Sequence, residues 1–363
     1  MKLTVPTAAL KAALAPVVRA SGSARSTPQL AGALLTVSGT TLSVLGTDND
    51  IAVECQLAVS DAEDGVALVP AALLAQLTSA AAGDTVTLSQ SDNDEVVIFK
   101  SASATSKIRS LDAKDFPKME ATDGTTLELT GGELAAALGV VRHAVSSDES
   151  KVLAGVFIDT STATPVAVAT DSMRLASCEL PAGLIGSAIP DVIIPGRTIA
   201  ELLRSNVDEK VKMTIGSSVI DFQVGTERIT SRMIAGPFPA WRGLVDVERA
   251  ESFEVDATAM ADAIKRVETM NKGTTHIEIS VVGQVISVSL SGPAGSMVDT
   301  VPAIASSADL TFRVNPKYFL DALANAGSAS VEVRHSGDPA KPLELRRPGS
   351  TVVRNLVMPI RIS

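Results

Sequence analysis

A chain of 363 residues, 45% of them hydrophobic, is long enough for two or three domains with a core in each. Its net charge of −10 argues against indiscriminate binding to nucleic acid, because phosphate contacts need Lys and Arg. Aromatic residues make up only 3%, which excludes base stacking as a main mode of recognition, and no uncharged apolar run approaches membrane-spanning length.

The first residues, Met1-Lys2, lead into the alternating Leu3-Thr4-Val5, a strand pattern and not the apolar core of a signal peptide. Leu10, Leu14, Val17 and Val18 then fall at helical spacing and predict a helix over about 7–19. Short β-patterned runs come next at 33–37, 41–45 and 51–59, with turns marked by Gly39 and Gly46. A second helix over about 71–81 is opened by Pro70, and alternating runs at 85–88 and 96–100 close the passage. The same grammar restarts at Leu127-Glu128-Leu129, with a helix over 132–143 on Leu134, Leu138 and Val141, a second helix over 196–205, and runs at 211–215 and 219–224. It restarts again at Phe253-Glu254-Val255, with helices over 257–270, on Met260, Ile264 and Val267, and 316–326, then a run at 330–334.

Three landmarks give this recurrence a period. Pro70, Pro195 and Pro316 each end an apolar run before a helix and lie 125 and 121 residues apart. Gly46-Thr47-Asp48 with Cys55 recurs as Ala169-Thr170-Asp171 with Cys178 at an offset of 123, and Phe116-Pro117 recurs as Phe238-Pro239 at 122. Agreement among independent landmarks predicts three tandem copies of one β-rich, two-helix domain, an α+β chain divided at 1–121, 125–246 and 251–363 by polar junctions at 120–125 and 245–252. The two cysteines fall at equivalent repeat positions and read as small core residues, which fits a reducing cytoplasm.

Charge placement matters more than charge sum. The six predicted helices carry eight Lys/Arg and five acids, a balance of +3, which leaves −13 for the rest. Shared on one surface, they would offer a mildly basic face to a polyanion and an acidic exterior elsewhere; as ordinary solvated faces they would do nothing. Any nucleic-acid contact is expected at phosphates and independent of sequence. No metal or cofactor is expected: His143, His276 and His335 stand apart, and no phosphate-cradling loop, dinucleotide fingerprint or nucleophile elbow is present. Asp171 with Arg174 and Ser172 is the one constellation that suggests a hydrolase, but an acid that recurs in a repeat, as Asp48 does, reads first as a turn residue.

Ala169-Thr170-Asp171-Ser172-Met173-Arg174-Leu175-Ala176, Ile194-Pro195, Phe238-Pro239-Ala240-Trp241-Arg242 and Leu356-Val357-Met358-Pro359-Ile360-Arg361-Ile362 together resemble the bacterial sliding clamp family, the beta subunit of DNA polymerase III, in register over the whole chain. The resemblance implies a non-enzymatic processivity factor: a head-to-tail homodimer forming a six-domain ring, helices lining the hole and sheets outside, that encircles duplex DNA without sequence specificity. The helix charges would then put about +6 on the lining of a dimer. The implied DNA-facing residues are Lys11, Arg19, Arg25, Arg142, Arg197, Arg204, Lys265, Arg266 and Lys317, with Lys272 a further candidate.

The resemblance also implies a cleft that takes short linear motifs of polymerases, the clamp loader and repair proteins. Its positions here are Leu153, Thr170, Ser172, Met173, Arg174, Leu175, Pro239, Gly243, Leu244, Leu356, Met358, Pro359, Ile360 and Arg361. Leu, Met and Pro supply an adaptable apolar wall, and the arginines can hold peptide oxygens. The same residues could simply pack an interdomain seam. Ser172-Met173 stands where the family usually has Gly and often His, Gly243 stands where a basic residue is common, and Ser363 extends one residue beyond the usual end. For ring closure the implied contacts are Ile108 and, within Glu268-Thr269-Met270, the apolar Met270. The alternative is a clamp-fold paralogue that binds peptides as a scaffold without encircling DNA.

Overall fold

All three predicted strand-and-helix passages are present in the computed structural model, which describes every residue except 24–26, 92–94, 120–122, 149–151, 181–188, 207, 209, 271–272, 274, 294 and 362–363. The first repeat runs β1 (Lys2–Pro6), α1 (Thr7–Ala20), β2 (Gly32–Ser38), β3 (Thr41–Thr47), β4 (Ile51–Ala58), β5 (Ser60–Glu63), β6 (Gly65–Pro70), α2 (Ala71–Ser79), β7 (Thr85–Gln90), β8 (Val96–Ser101) and β9 (Ala104–Arg109). The second runs β10 (Thr125–Thr130), α3 (Gly131–Arg142), β11 (Gly155–Asp159), β12 (Val166–Thr170), β13 (Arg174–Glu179), β14 (Val192–Pro195), α4 (Gly196–Leu202), β15 (Lys210–Ile215), β16 (Val219–Val224), β17 (Glu227–Arg232) and a short α5 (Arg242–Val245). The third runs β18 (Glu251–Asp256), α6 (Ala257–Glu268), β19 (Ile277–Val282), β20 (Val285–Gly292), β21 (Gly295–Pro302), β22 (Ala305–Ser306), β23 (Leu310–Val314), α7 (Pro316–Asn325), β24 (Ser330–His335), β25 (Leu343–Arg346) and β26 (Val353–Val357).

By packing, these elements form two compact units, Met1–Glu133 with Ala200–Met233 and Leu134–Ile199 with Ile234–Ser363, so the second repeat contributes to both. The first unit holds a five-stranded sheet, β5-β1-β7-β8-β9, and an eight-stranded sheet, β10-β15-β16-β17-β4-β3-β2-β6. In the latter, β17 of the second repeat pairs antiparallel with β4 of the first, from Glu227 opposite Cys55 to Ser231 opposite Ile51. The second unit holds a nine-stranded sheet, β14-β11-β12-β13-β26-β25-β24-β18-β22, and a four-stranded sheet, β21-β20-β19-β23. There β13 pairs with β26, with Arg174 opposite Val357 and Leu175 opposite Leu356.

Helix periodicity became burial, except that Val18, expected on the inner face of α1, is half-buried. α1 buries Leu10, Ala13, Leu14, Val17 and Ala20, and α6 buries Met260, Ala263, Ile264 and Val267. Each fully buried Leu, Ile, Val or Met contributes about 1.5–3 kcal/mol. Asp256 caps α6 by accepting from the Ala259 amide at 2.7 Å, and Asn315 caps α7 through the Lys317 amide at 3.0 Å.

Several expected boundaries shift. Helices expected to reach 81, 205 and 270 end at Ser79, Leu202 and Glu268, because the amides of Ala81, Arg204 and Met270 bond three residues back, to Thr78, Glu201 and Val267. Pro316 opens α7 as its first residue, whereas Pro70 and Pro195 are the last residues of β6 and β14. Gly46 is required by close approach: a Cβ there would lie 2.5 Å from the Val17 carbonyl oxygen at the end of α1.

Candidate functional site

The two Thr-Asp landmarks fold into the same turn, bond for bond. Thr47 Oγ1 donates to the Ile51 carbonyl at 2.9 Å and accepts from the Asn49 amide at 3.1 Å, while Asp48 Oδ1 accepts from the amides of Asp50 and Ile51. In the second unit Thr170 Oγ1 donates to the Arg174 carbonyl at 2.6 Å and accepts from Ser172, and Asp171 Oδ1 accepts from Met173 and Arg174. Asn49 and Ser172 both sit at left-handed φ, +79° and +76°. Asp171 is thus committed to a turn.

That turn presents Met173, 55% exposed, and aims Arg174 inward. Arg174 is 9% exposed. Its Nε donates to Asp171 Oδ2 at 3.0 Å, its Nη1 donates to Asp321 Oδ2 at 2.5 Å, and its guanidinium lies 4.4 Å from the centre of the Tyr318 ring. His143, just past α3, bonds through Nδ1 with the Val140 carbonyl oxygen. Burial, then the Arg174 cation, holds its imidazole below the ordinary range against the opposing pull of Asp321 and Asp171.

The opposite wall is the C-terminal strand β26 with the residues just past it. The Met358 amide donates to the Met173 carbonyl at 2.9 Å, and the Ile360 amide to the Arg313 carbonyl at 2.7 Å, which fixes the terminal segment on β13 and β23. Leu175 and Leu356 are buried with Val166, Val168, Trp241 and Val245, and Phe157 stacks on Phe238 at 4.8 Å. Trp241 Nε1 donates to Asp159 Oδ2 at 2.8 Å. Burial pushes the Asp159 carboxyl up, but bonds from Ser161 and Trp241 and the Arg242 cation outweigh it and hold the group below the usual carboxylate range. Buried Arg249 donates to the carbonyls of Leu244, Val245 and Val247 and so sets the turn that leaves Leu244 51% exposed.

The expected cleft residues therefore split into roles. Thr170, Ser172, Met173, Arg174, Leu175, Leu356 and Met358 come together by direct bonds or pairing. Pro239, Gly243 and Leu244 lie exposed on the segment held by Trp241 and Arg249. Pro359 is buried, Ile360 half-buried and Arg361 exposed; Leu153 is half-buried, its carbonyl accepting from Ser146. Tyr318, Asp321 and His143 gather around Arg174 without having been expected there, since helical spacing marked Asp321 only as one acid among several on the predicted helices.

Among the expected phosphate contacts of the first unit, Lys11 is exposed, but Arg19 and Arg204 are bridged by buried Glu201 at 2.8 and 2.7 Å. In the second unit Arg142, Arg197, Lys265, Arg266 and Lys317 reach the surface to differing degrees, with Arg266 paired to Asp299 at 2.6 Å. Arg25 and Lys272 lie outside the described residues. Ile108 needs correction: it faces inward from β9 at 1% exposure, so it supplies core packing and no apolar contact surface. Met270 is half-buried against the third-repeat core.

Three copies of one β-rich domain, sheets sewn across repeats, and an apolar wall with a caged arginine define a clamp-type binding protein. The DNA polymerase III beta subunit family matches along the chain in order, its N-terminal domain at residues 1–120, its central domain at 128–240 and its C-terminal domain at 244–361. The chain belongs to this family, the beta sliding clamps, whose members are non-catalytic processivity subunits. It is 28% identical over 374 residues to the beta sliding clamp of Caulobacter vibrioides, covering all of both chains. A solved beta sliding clamp of Caulobacter crescentus superposes with a TM-score of 0.92 at 28% identity, over 100% of this chain and 99% of that one. The Bacillus subtilis sliding clamp shares the fold, with a TM-score of 0.91 at 23% identity over the whole of both chains.

Proposed function

We propose that two copies of this chain close head to tail into a ring around duplex DNA and tether the replicative polymerase, the clamp loader and repair proteins through the cleft at Met173, Arg174, Leu244 and Met358. The observation that carries this reading is whole-length correspondence: three family domains fall in register on three internal repeats. Strands β9 and β21 each end a sheet, and unpaired edges of this kind suit strand-to-strand closure between copies. Lys107 and Arg109 lie on β9, and Val298, 62% exposed, lies on β21. Lys11, Arg142, Arg197, Lys265 and Lys317 would touch phosphates loosely, with Arg19, Arg204 and Arg266 adding charge as their carboxylate partners release them; mobile contacts have no preferred register, so the ring slides. Enclosure supplies the residence time that affinity does not. The free buried cysteines Cys55 and Cys178 suit a reducing cytoplasm.

The test is retention on DNA together with mass in solution. A dimer by sedimentation, loaded on circular DNA and lost when the circle is cut, is expected. Equal retention on linear DNA with free ends would defeat the ring. A monomer at every concentration with intact peptide binding would point to the non-encircling scaffold.

A further inference from the structure

We propose that the first unit carries a second docking pocket, which takes a tryptophan side chain of a partner polypeptide, at the position where the second repeat buries its own tryptophan. A cavity of about 250 Å³ lies over β2, β3, β4 and β17. The repeat register pairs its walls with a filled site in the other unit. At the offsets of 122 and 123, Phe116 corresponds to Phe238 and packs on Leu34 as Phe238 stacks on Phe157. Beyond that ring three positions lose bulk, Trp241 replaced by Met119, Val166 by Ser43 and Leu175 by Ala52, while Leu45 and Glu54 are larger than their counterparts Val168 and Ser177. Strand pairing adds the last substitution, because Thr230 stands opposite Ala52 as Leu356 stands opposite Leu175. The first repeat keeps the frame of an indole site without the indole.

The chemistry of the remaining walls selects the occupant. Leu34 and Leu45 supply apolar faces, and Thr36 replaces Asp159, the acceptor of the Trp241 N–H. The Thr36 hydroxyl makes no hydrogen bond among the described residues, so it can accept from a ligand donor. The cavity is bordered by exposed Lys118, by part-exposed Arg228, whose Nη2 is paired with Asp221 at 2.7 Å, and by Glu54, whose carboxylate accepts from the Ser43 hydroxyl; Lys118 is placed to face an electron-rich aromatic group, as Arg242 lies 4.6 Å over the Trp241 ring. Pockets for whole small molecules run to roughly 300–1,000 Å³. This one suits a single buried anchor of the kind that dominates protein interfaces.

The test uses full-length protein with labelled Leu and Met methyls, titrated with N-acetyl-L-tryptophanamide and, separately, N-acetyl-L-alaninamide and free indole. Shifts of the Leu34, Leu45 and Met119 methyls with the tryptophan probe, and with free indole, but not with the alanine probe are expected. Ala52→Leu, which imports the second repeat's leucine, should weaken that binding at least tenfold with circular dichroism unchanged. Met119→Trp, whose own indole can enter the cavity, should do the same. Equal shifts with the alanine probe, or binding unaltered in both variants, would overturn the site. Binding of free indole without binding of the tryptophan probe would overturn the polypeptide assignment.

Discussion

Arg174 Nη1 and Asp321 Oδ2, 147 residues apart in sequence, meet at 2.5 Å and tie the cleft turn of the second repeat to α7 of the third. Because Asp171 and Tyr318 hold the same guanidinium, Arg174 is a fixed post and, on the proposed function, a rigid part of the cleft wall rather than a free arm. Asp321 is about a third exposed, so solvent screens the pair, and Asp321→Asn should weaken peptide binding by roughly fivefold, about 1 kcal/mol. Arg174→Ala, which also strips the face of Tyr318, should cost more. Fluorescence anisotropy of a labelled motif peptide reads both, and equal affinity in Asp321→Asn would refute the positioning role.

Ser172 holds a left-handed backbone that Asn49 adopts in the first repeat with less penalty. Ser172→Val should therefore lower stability by roughly 1–2 kcal/mol, whereas Ser172→Gly should be neutral or mildly stabilising. Urea denaturation midpoints of the two variants decide this.

Stability should fall as the solution is acidified from about pH 7.5 to about pH 5. Burial depresses His143 and His335, so the unfolded chain binds protons that the folded chain refuses. Their contribution is complete above the ordinary value of 6.5 and is lost as pH falls through the folded values. Glu227, raised by burial and by Glu201, works in the opposite sense at the acid end. His335 Nε2 is buried without a partner among the described residues, so His335→Phe with His143→Gln should flatten the midpoint-against-pH curve over that range.

Both thiols should be silent in the native state. Burial, reinforced by Glu227 and Glu54, pushes Cys55 up to about 12, and burial with Glu179 pushes Cys178 to about 11. A chromogenic disulfide reagent at about pH 8 should label neither cysteine until denaturant is added; rapid native labelling would contradict the burial.

Glu201 withholds two cations from solvent-facing work. Glu201→Gln should remove the charge that Arg19 and Arg204 share and steepen the salt dependence of DNA retention by up to about two phosphate contacts, with slope near roughly −0.9 for each. It should also cost on the order of 1–3 kcal/mol of stability. An unchanged slope would place these arginines away from DNA.

The repeat, the six helical faces and the turn role of Asp48 and Asp171 were legible because each rests on local spacing. The caging of Arg174 was not, since nothing in a single helix marks Asp321 as the acid that meets a strand from another repeat. Ile108 misled because it was carried over from the resemblance as an apolar position, and an apolar position does not say whether its side chain meets its own core or another molecule. Arg19 and Arg204 counted as free charge because Glu201, one turn before Arg204, reads as one more surface acid until packing buries it.

The ladders joining β17 to β4 and β13 to β26 make the molecule hard to dissect. A fragment of residues 1–121 would keep β3 beside β4 but lose β17 from its other edge, leaving a bare strand edge, a template for aggregation. Fragments cut at the repeat boundaries should thus precipitate or fail to fold, while the intact chain unfolds in larger cooperative blocks. The repeat is a unit of sequence, and the sheets run across its boundaries.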